Sequence, residues 1–467
     1  MILLISSALL LAGVFLFKKL WTGAAAGIIF LTAARYYKRE GVLNLEVPAI
    51  DTVIIWIELA VLLFGAYIFC FMLDDYKQWN AFRSKALSSN SRLTVVLLFG
   101  WFLISFFEGL AGFGVPAMLV APLLLSIGLK PFTSIVLSLC ANAISVTFGA
   151  LGTPVKIGLG IDVVNPVINS IIILNALPAL LTPFVLALIF WNTEVHFSWK
   201  AERKKLFGAG LCFLVPYAIG SLLSVEFPSV LGGGVGMLIF TLFFIPAAER
   251  PSFRLWISTF WPYALFLSLL ILSSFLLKPF SWQLKPGVRS FSAFQPGILF
   301  LIATFLVLLI KKHSHPARQF LGYAKQTFID VRVSVLSIFL LILFTQLIRT
   351  ETQIIFETIS QWKDSKLFQL FPLTLGTLGS FLTGSATMSN LLFSDSVGEH
   401  FIFPLSLALL NTGSACGNAI SLQNIVMVKS TIVADVSEAS ILKHNFVFVL
   451  GYMIVAALGS IILFQFI

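Results

Sequence analysis

Charge is scarce in this sequence: Asp, Glu, Lys and Arg together make up 11% of its 467 residues, against about 25% in an average globular chain. Too few polar side chains exist to clothe a water-facing surface, and no soluble domain of useful size fits anywhere along the chain. Disorder is excluded by the same composition. The four cysteines, Cys70, Cys140, Cys212 and Cys416, lie in apolar runs and form no CxxC pair. A disulfide scaffold is thereby excluded, and packing is their default role. The five histidines sit in polar stretches or near segment ends without metal-ligand spacing, so no metal is expected. P-loop, Rossmann glycine, HExxH and GxSxG patterns are all missing, which argues against ATP-driven transport by this chain alone and leaves no cofactor to expect.

What is present is apolar: 58% of residues are hydrophobic, 47 are Phe, and the mean hydropathy is +1.00. At about 20 residues per crossing, this supply fills roughly a dozen membrane spans. The expected fold is an all-α polytopic membrane protein with about 12–14 transmembrane helices, some of them broken or re-entrant. Residues 1–17 lack a preceding basic region and are followed by Lys18 and Lys19, a pattern of a first span rather than a cleaved signal peptide.

The formal net charge of +10 would suggest nucleic acid in a soluble protein. Here the basic residues separate apolar runs, as in Lys77, Arg83, Lys85 and Arg92, then Lys200, Arg203, Lys204 and Lys205, then Lys311, Lys312, Arg318 and Lys325. The lipid bilayer is therefore the expected partner, nucleic acid is not, and these loops are assigned to the cytoplasm. Lys278, Lys285 and Arg289 break that rule. Self-association is left open.

Two regions repeat each other. SFFEGLA at 105–111 matches SFLTGSA at 380–386 at four of seven places, and CANAIS at 140–145 matches CGNAIS at 416–421 at five of six. Order and spacing both recur, which predicts an internal duplication; counting spans makes the two copies inverted. The chain divides accordingly into N-terminal helices and a cytoplasmic loop (1–92), a first repeat core (93–200), scaffold helices (201–325) and a second repeat core (326–467). Inverted repeats with interrupted helices are the signature of secondary transporters, whose sites lie at the repeat interface.

Glycine and proline mark the interruptions: Gly112, Gly114 and Pro116, then Gly149, Gly152 and Pro154, and in the second copy Gly376, Gly379, Gly384, Gly413 and Gly417. Interrupted helices expose N-terminal N–H groups that attract a carboxylate. Hydroxyl and amide side chains cluster at the same places, and the expected substrate contacts are Gly112, Gly114, Asn142, Thr383, Ser385, Thr387, Ser389, Asn390, Asn418, Gln423 and Asn424. Small residues that merely let helices approach closely are the competing reading for each one taken singly. Glu108 ends an apolar run and directly precedes the first interruption. A carboxyl at membrane depth disfavours its charged form, which marks Glu108 as the proton-coupling group. Glu58 is a second, weaker case. Arg332 offers a bidentate partner for a carboxylate, though an anchor at a helix end or a partner for Asp330 fits it equally. Lys156 has similar standing, and Lys429 and Asp435 are placed to pair.

At Glu108-Gly-Leu-Ala-Gly-Phe-Gly-Val-Pro116 the sequence resembles the bacterial L-lactate permease family, which includes glycolate permeases. Ala141-Asn142 with Phe148–Pro154, Thr383–Phe393 and Ile420–Ile425 match further segments of that family in order. The resemblance implies proton symport of small 2-hydroxy monocarboxylates, L-lactate and glycolate among them, into a bacterium through its inner (cytoplasmic) membrane. It also implies an acid where this chain has Ala386, a lysine where it has Asn418 and a proline where it has Leu422. An acid and a base are absent together, which conserves charge if they pair. A Na⁺-coupled carrier of another organic anion remains the alternative, and a membrane-embedded enzyme or sensor lacks the convergent nucleophile or acid/base set it needs.

Overall fold

The computed structural model describes residues 5–6, 8–9, 12–13, 20–37, 46–75, 92–112, 114–161, 166–247, 250–277, 280–283, 290–311, 315–359, 365, 368–432 and 436–463. Lys77, Arg83, Lys85, Lys278, Lys285, Arg289, Lys312 and Asp435, invoked above for topology or pairing, lie outside these residues, as do Lys18 and Lys19.

Helices follow the apolar runs. The first is α1 (Leu20–Tyr37), then α2 (Glu46–Asp75) and α3 (Arg92–Leu110), which contains a π-helical turn at Leu98–Leu103. Next come α4 (Val115–Ser126), α5 (Pro131–Asn142) and a bent segment, Ser145–Gly158, inclined 49° to α5. The middle of the chain forms α6 (Pro166–Thr193), α7 (Trp199–Leu223), α8 (Pro228–Phe244), α9 (Phe253–Leu277) and α10 (Pro296–Ile310). A two-residue β ribbon, Ser281–Trp282 against Phe291–Ser292, links α9 to α10. The remainder is α11 (Pro316–Ile359), α12 (Phe371–Thr383), α13 (Ala386–His400), α14 (Leu405–Gly417), α15 (Leu422–Ser430) and α16 (Glu438–Leu463). Proline begins several of these helices, where its missing N–H costs nothing and its fixed φ suits the first turn.

Among the described residues, seven helices are long and apolar enough to cross a membrane, and the bent pair of α5 with Ser145–Gly158 makes eight. Four shorter apolar helices accompany them: Trp21–Ala34, Val115–Ser126, Pro228–Phe244 and Pro296–Ile310. Large apolar side chains such as Phe243 and Phe275 stand nearly bare on outer faces, which suits hydrocarbon and not water. α3 is different. It is buried along its whole candidate span and forms the axis around which α8, α4, α5 and the bent segment pack.

The two regions that match in sequence share an order of helices. Helix, turn and helix (α3–α4) are followed by helix, interruption and short helix (α5 and the bent segment); α12–α13 and α14–α15 repeat that order. The interruptions are made differently. In the first copy Gly112 (φ +59°) and Gly114 (φ +80°) separate α3 from α4, and three consecutive residues then turn left-handed: Ala150 (φ 46°), Leu151 (φ 55°) and Gly152 (φ 78°). Left-handed backbone costs a side-chain-bearing residue roughly 1–2 kcal/mol, so Ala150 and Leu151 are held there by their surroundings. Among the described residues of the second copy only Gly384 (φ +71°) is left-handed, ending α12, and Ser385 caps α13 by accepting from the Met388 N–H. This corrects the expectation for Gly376, Gly379, Gly413 and Gly417. All four lie within helices, and a methyl group on Gly376 or Gly413 would sit 2.1 Å from the Leu410 carbonyl oxygen or 2.0 Å from that of Leu373. Gly376, Gly413 and Gly417 bring α12 and α14 into backbone contact, Gly379 makes room for the Ser389 and Phe393 side chains of α13, and Gly384 makes the turn.

Candidate functional site

Glu108 lies on the last turn of α3 and is 3% exposed. Its Oε2 accepts from Asn142 Nδ2 at 2.8 Å. Its other oxygen rests against Gly149, where a Cβ would stand 2.4 Å away. Gly149 therefore leaves room for the carboxyl group, and Asn142, on the final turn of α5, gives it a donor. No Asp, Glu, Lys, Arg or His occurs in α4, α5 or α8, and the bent segment contributes only Lys156. The Lys156 ammonium lies over the Phe294 ring, 5.2 Å from its centre.

The first copy's two interruptions touch, since a methyl on Gly112 would meet the Ala150 Cβ at 2.6 Å. They also touch the second copy. A methyl on Gly114 would lie 2.3 Å from the end of Met427 and 3.4 Å from Asn424 Oδ1. Between them a small cavity of about 10 Å³ is lined by Gly114, Ala117, Leu139, Asn142, Ala143, Val146, Asn418 and Asn424, room for about one water. The Asn424 amide donates to the Asn418 side-chain oxygen. Two helices, α4 and α15, begin at this cavity, and neither has a side-chain cap on its first N–H groups. Its polar lining is three neutral amides together with those helix starts.

A second junction joins the copies nearby. Asn390 Nδ2 donates to the Pro154 carbonyl at 2.9 Å and to Asn411 Oδ1 at 2.7 Å, and Asn411 Nδ2 donates to the Thr147 carbonyl at 3.2 Å. Thr153 and Thr387 share a hydrogen bond of 3.1 Å. Carbonyls released where the first copy's helix is interrupted are thus capped by amides of the second, as buried backbone requires.

The expected substrate contacts therefore divide into groups. Gly114, Asn142, Asn418 and Asn424 meet at the cavity, with Glu108 directly behind Asn142 and Gly112 beside it. Thr387 and Asn390 serve the junction. Thr383, Ser385 and Ser389 are engaged inside the second copy: Thr383 with the Gly379 and Ser385 carbonyls, Ser389 with the Gly376 carbonyl and Ser414, and Ser385 as the cap of α13. Gln423 packs its side-chain oxygen over Gly384. Arg332 is not brought to the cluster; it is exposed on α11, and its neighbour Asp330 accepts from Gln326. Lys429 pairs with Glu438 at 3.5 Å, and Glu58 accepts from Gln295 at 3.3 Å.

Two participants escaped the sequence reading. Asn411 lies inside an apolar run with no motif to flag it. Glu226, 1% exposed and accepting from Ser224, precedes α8 and reads as a loop acid between two spans. Its neighbour Val225 lays a carbonyl against Gly152, a contact that sequence separation hides. Elsewhere, a groove of about 420 Å³ between α6 and α16 is larger than the cavity. Apolar side chains line most of it, so it offers little to orient a carboxylate.

Known proteins are similar to this chain in sequence. A family model described as L-lactate permease matches residues 2–255 and 251–467. A provisional L-lactate permease of Haemophilus influenzae is 26% identical over 435 residues, covering 79% of this chain and 79% of that one. A glycolate permease of Escherichia coli is 27% identical over 172 residues, covering 36% of this chain and 30% of the other. Among solved structures, the YdaH transporter of Alcanivorax borkumensis aligns over 94% of this chain and 90% of its own at 12% identity, with a TM-score of 0.38. With motifs in both copies matched and the family model covering nearly every residue, this chain belongs to the L-lactate permease family.

Proposed function

We propose that the chain is a secondary carrier importing small 2-hydroxy monocarboxylates, L-lactate first and glycolate second, by proton symport across a bacterial inner membrane. Membership of a permease family makes it a multi-pass transporter rather than an enzyme. The observation that carries the coupling is the Glu108 carboxyl group, buried on the central helix and hydrogen-bonded to an amide that lines the cavity between the two copies. A carboxyl group at that depth is expensive when charged and cheap when protonated, which suits a group that takes up a proton on one side and releases it on the other.

The cavity supports the substrate reading by its chemistry. Helix starts and amide N–H groups favour a carboxylate, and the amide oxygens accept from a 2-hydroxyl. A three-carbon acid does not fit in room for one water, so binding requires the two copies to separate around the cavity. Treating the copies as inverted repeats that move against a scaffold formed by residues 201–325 accounts for how such a site reaches both sides in turn.

The test is uptake of labelled L-lactate and glycolate into proteoliposomes under an imposed pH gradient, with Na⁺ replaced by K⁺ or choline in a parallel arm. Accumulation that follows the pH gradient and disappears in Glu108→Gln, with membrane insertion intact, is the expected result. Wild-type proton-driven accumulation in Glu108→Gln removes Glu108 from the coupling, and accumulation that follows Na⁺ alone replaces the proton as the driving ion.

A further inference from the structure

We infer that Asn142 is a positioning residue that converts protonation of Glu108 into affinity for the anion, by rotation of its side-chain amide. This rests on the proposed reading of Glu108 as the proton carrier. An amide has a donor end and an acceptor end, and only one can face Glu108. In the structure Nδ2 donates to Glu108 Oε2 at 2.8 Å, the arrangement that a carboxylate requires. Oδ1 then points elsewhere, and its one other contact is the Ser145 hydroxyl at 3.5 Å, the limit of a hydrogen bond. Asn142 also lines the cavity. While Glu108 is charged it holds the donor end of Asn142 through one of its two N–H groups, and its negative charge opposes a carboxylate beside them.

A proton on Glu108 makes that carboxyl a donor. The complementary pose then turns Oδ1 of Asn142 to receive the carboxyl O–H and releases Nδ2 toward the cavity, where it donates to the incoming carboxylate. One hydrogen bond replaces another, and the long Ser145 contact is all that is given up. The proton goes to Glu108 and stays there; no bond to carbon forms or breaks. Few other groups compete for that proton. On α4, α5, α8 and the bent segment the titratable side chains are Cys140, which donates to Asn445, and Lys156, which lies over Phe294; α7 brings Cys212, and Lys205 donates to Thr94 near the far end of α3. Tyr217 shares a hydrogen bond with Thr147, Tyr263 touches Phe107, and Glu226 accepts from Ser224 before α8. Arg92 lies at the far end of α3.

The consequence is an order of binding, proton before anion. If only the protonated form binds well, apparent affinity follows the protonated fraction, which falls tenfold per pH unit above the titration of Glu108. The sign is fixed: affinity rises as pH falls. Equilibrium binding of L-lactate to the purified full-length protein, measured across pH, reads this directly. Wild type is expected to weaken about tenfold per pH unit on its alkaline limb. Glu108→Gln presents a permanent donor to Oδ1, so it is expected to bind tightly at every pH while losing proton-driven accumulation. Asn142→Ala is expected to bind weakly with a flat pH profile. Asn142→Ser, smaller than the native residue and too short to reach both Glu108 and the anion, serves the same purpose if the alanine variant fails to insert.

A folded Asn142 variant that keeps the wild-type slope overturns the relay, because direct repulsion between Glu108 and the anion then suffices. If that happens while Glu108→Gln loses accumulation, only the relay falls. If Glu108→Gln still accumulates lactate, the proton-carrier reading falls and the relay with it. A wild type that binds neither L-lactate nor glycolate overturns both.

Discussion

Gly149→Ala adds one carbon atom at the point where the structure leaves room for the Glu108 carboxyl group. Gly149 has φ −66° and ψ 163°, extended backbone that alanine adopts without strain, so the substitution acts through contact alone. The new methyl would lie 2.4 Å from Glu108 Oε1, 3.2 Å from Cδ and 3.3 Å from Cγ. Ordinary contact needs the oxygen to retreat by roughly 1 Å, since well-packed atoms sit about 3.5 Å apart. The bond from Asn142 to Oε2 is 2.8 Å long, and a carboxyl group displaced that far leaves hydrogen-bond range. A lost bond to a charged group is worth about 1.5–3 kcal/mol, which is roughly 10- to 100-fold in an equilibrium constant. Proton-driven L-lactate uptake in proteoliposomes is therefore expected to fall by one to two orders of magnitude, with membrane insertion retained and thermal stability lowered by the lost bond. Gly149→Ala with unchanged proton-driven uptake would refute the placement of the carboxyl group against Gly149, and with it the reasoning that ties this glycine to coupling.

Two other substitutions follow from the packing. Gly413→Ala places a methyl 2.0 Å from the Leu373 carbonyl oxygen, whereas Gly451→Ala on α16 meets nothing within 4 Å; the first is expected to destabilise by about 1–3 kcal/mol and the second to be neutral or slightly stabilising, read as thermal unfolding in one detergent. Equal melting of the two would contradict the close approach of α12 and α14. Arg332→Gln is expected to leave lactate affinity and uptake unchanged, because that side chain is exposed on α11; a marked loss of affinity would restore it as a carboxylate ligand.

Glu108 was legible in the sequence because an ionisable group next to a glycine-rich interruption violates the apolar pattern around it. Asn142 was legible through the repeat, and Asn418 and Asn424 through motifs that recur in order. The second copy's glycines were misread because glycine serves two purposes that look alike in one dimension: Gly384 adopts a left-handed turn, while Gly413 only lets a neighbouring backbone come close. Arg332 was drawn toward the substrate by charge alone, and the structure leaves it exposed on α11. Asn411 and Glu226 gave little warning, since each acquires its meaning from a partner distant in sequence or from a turn that folds back upon it.

Scarcity of charge by itself determined that this chain spans a membrane, because hydrocarbon is the one solvent that so apolar a surface suits. The glycine and proline clusters likewise determined where helices are interrupted, since these residues act locally on the backbone. Tertiary structure decided which interruptions meet. It set Glu108 behind Asn142, joined Gly114 to Asn424 across the two copies, and left a cavity of neutral amides at their meeting point. Such contacts depend on how helices cross in three dimensions, and local sequence preference carries no record of the crossing.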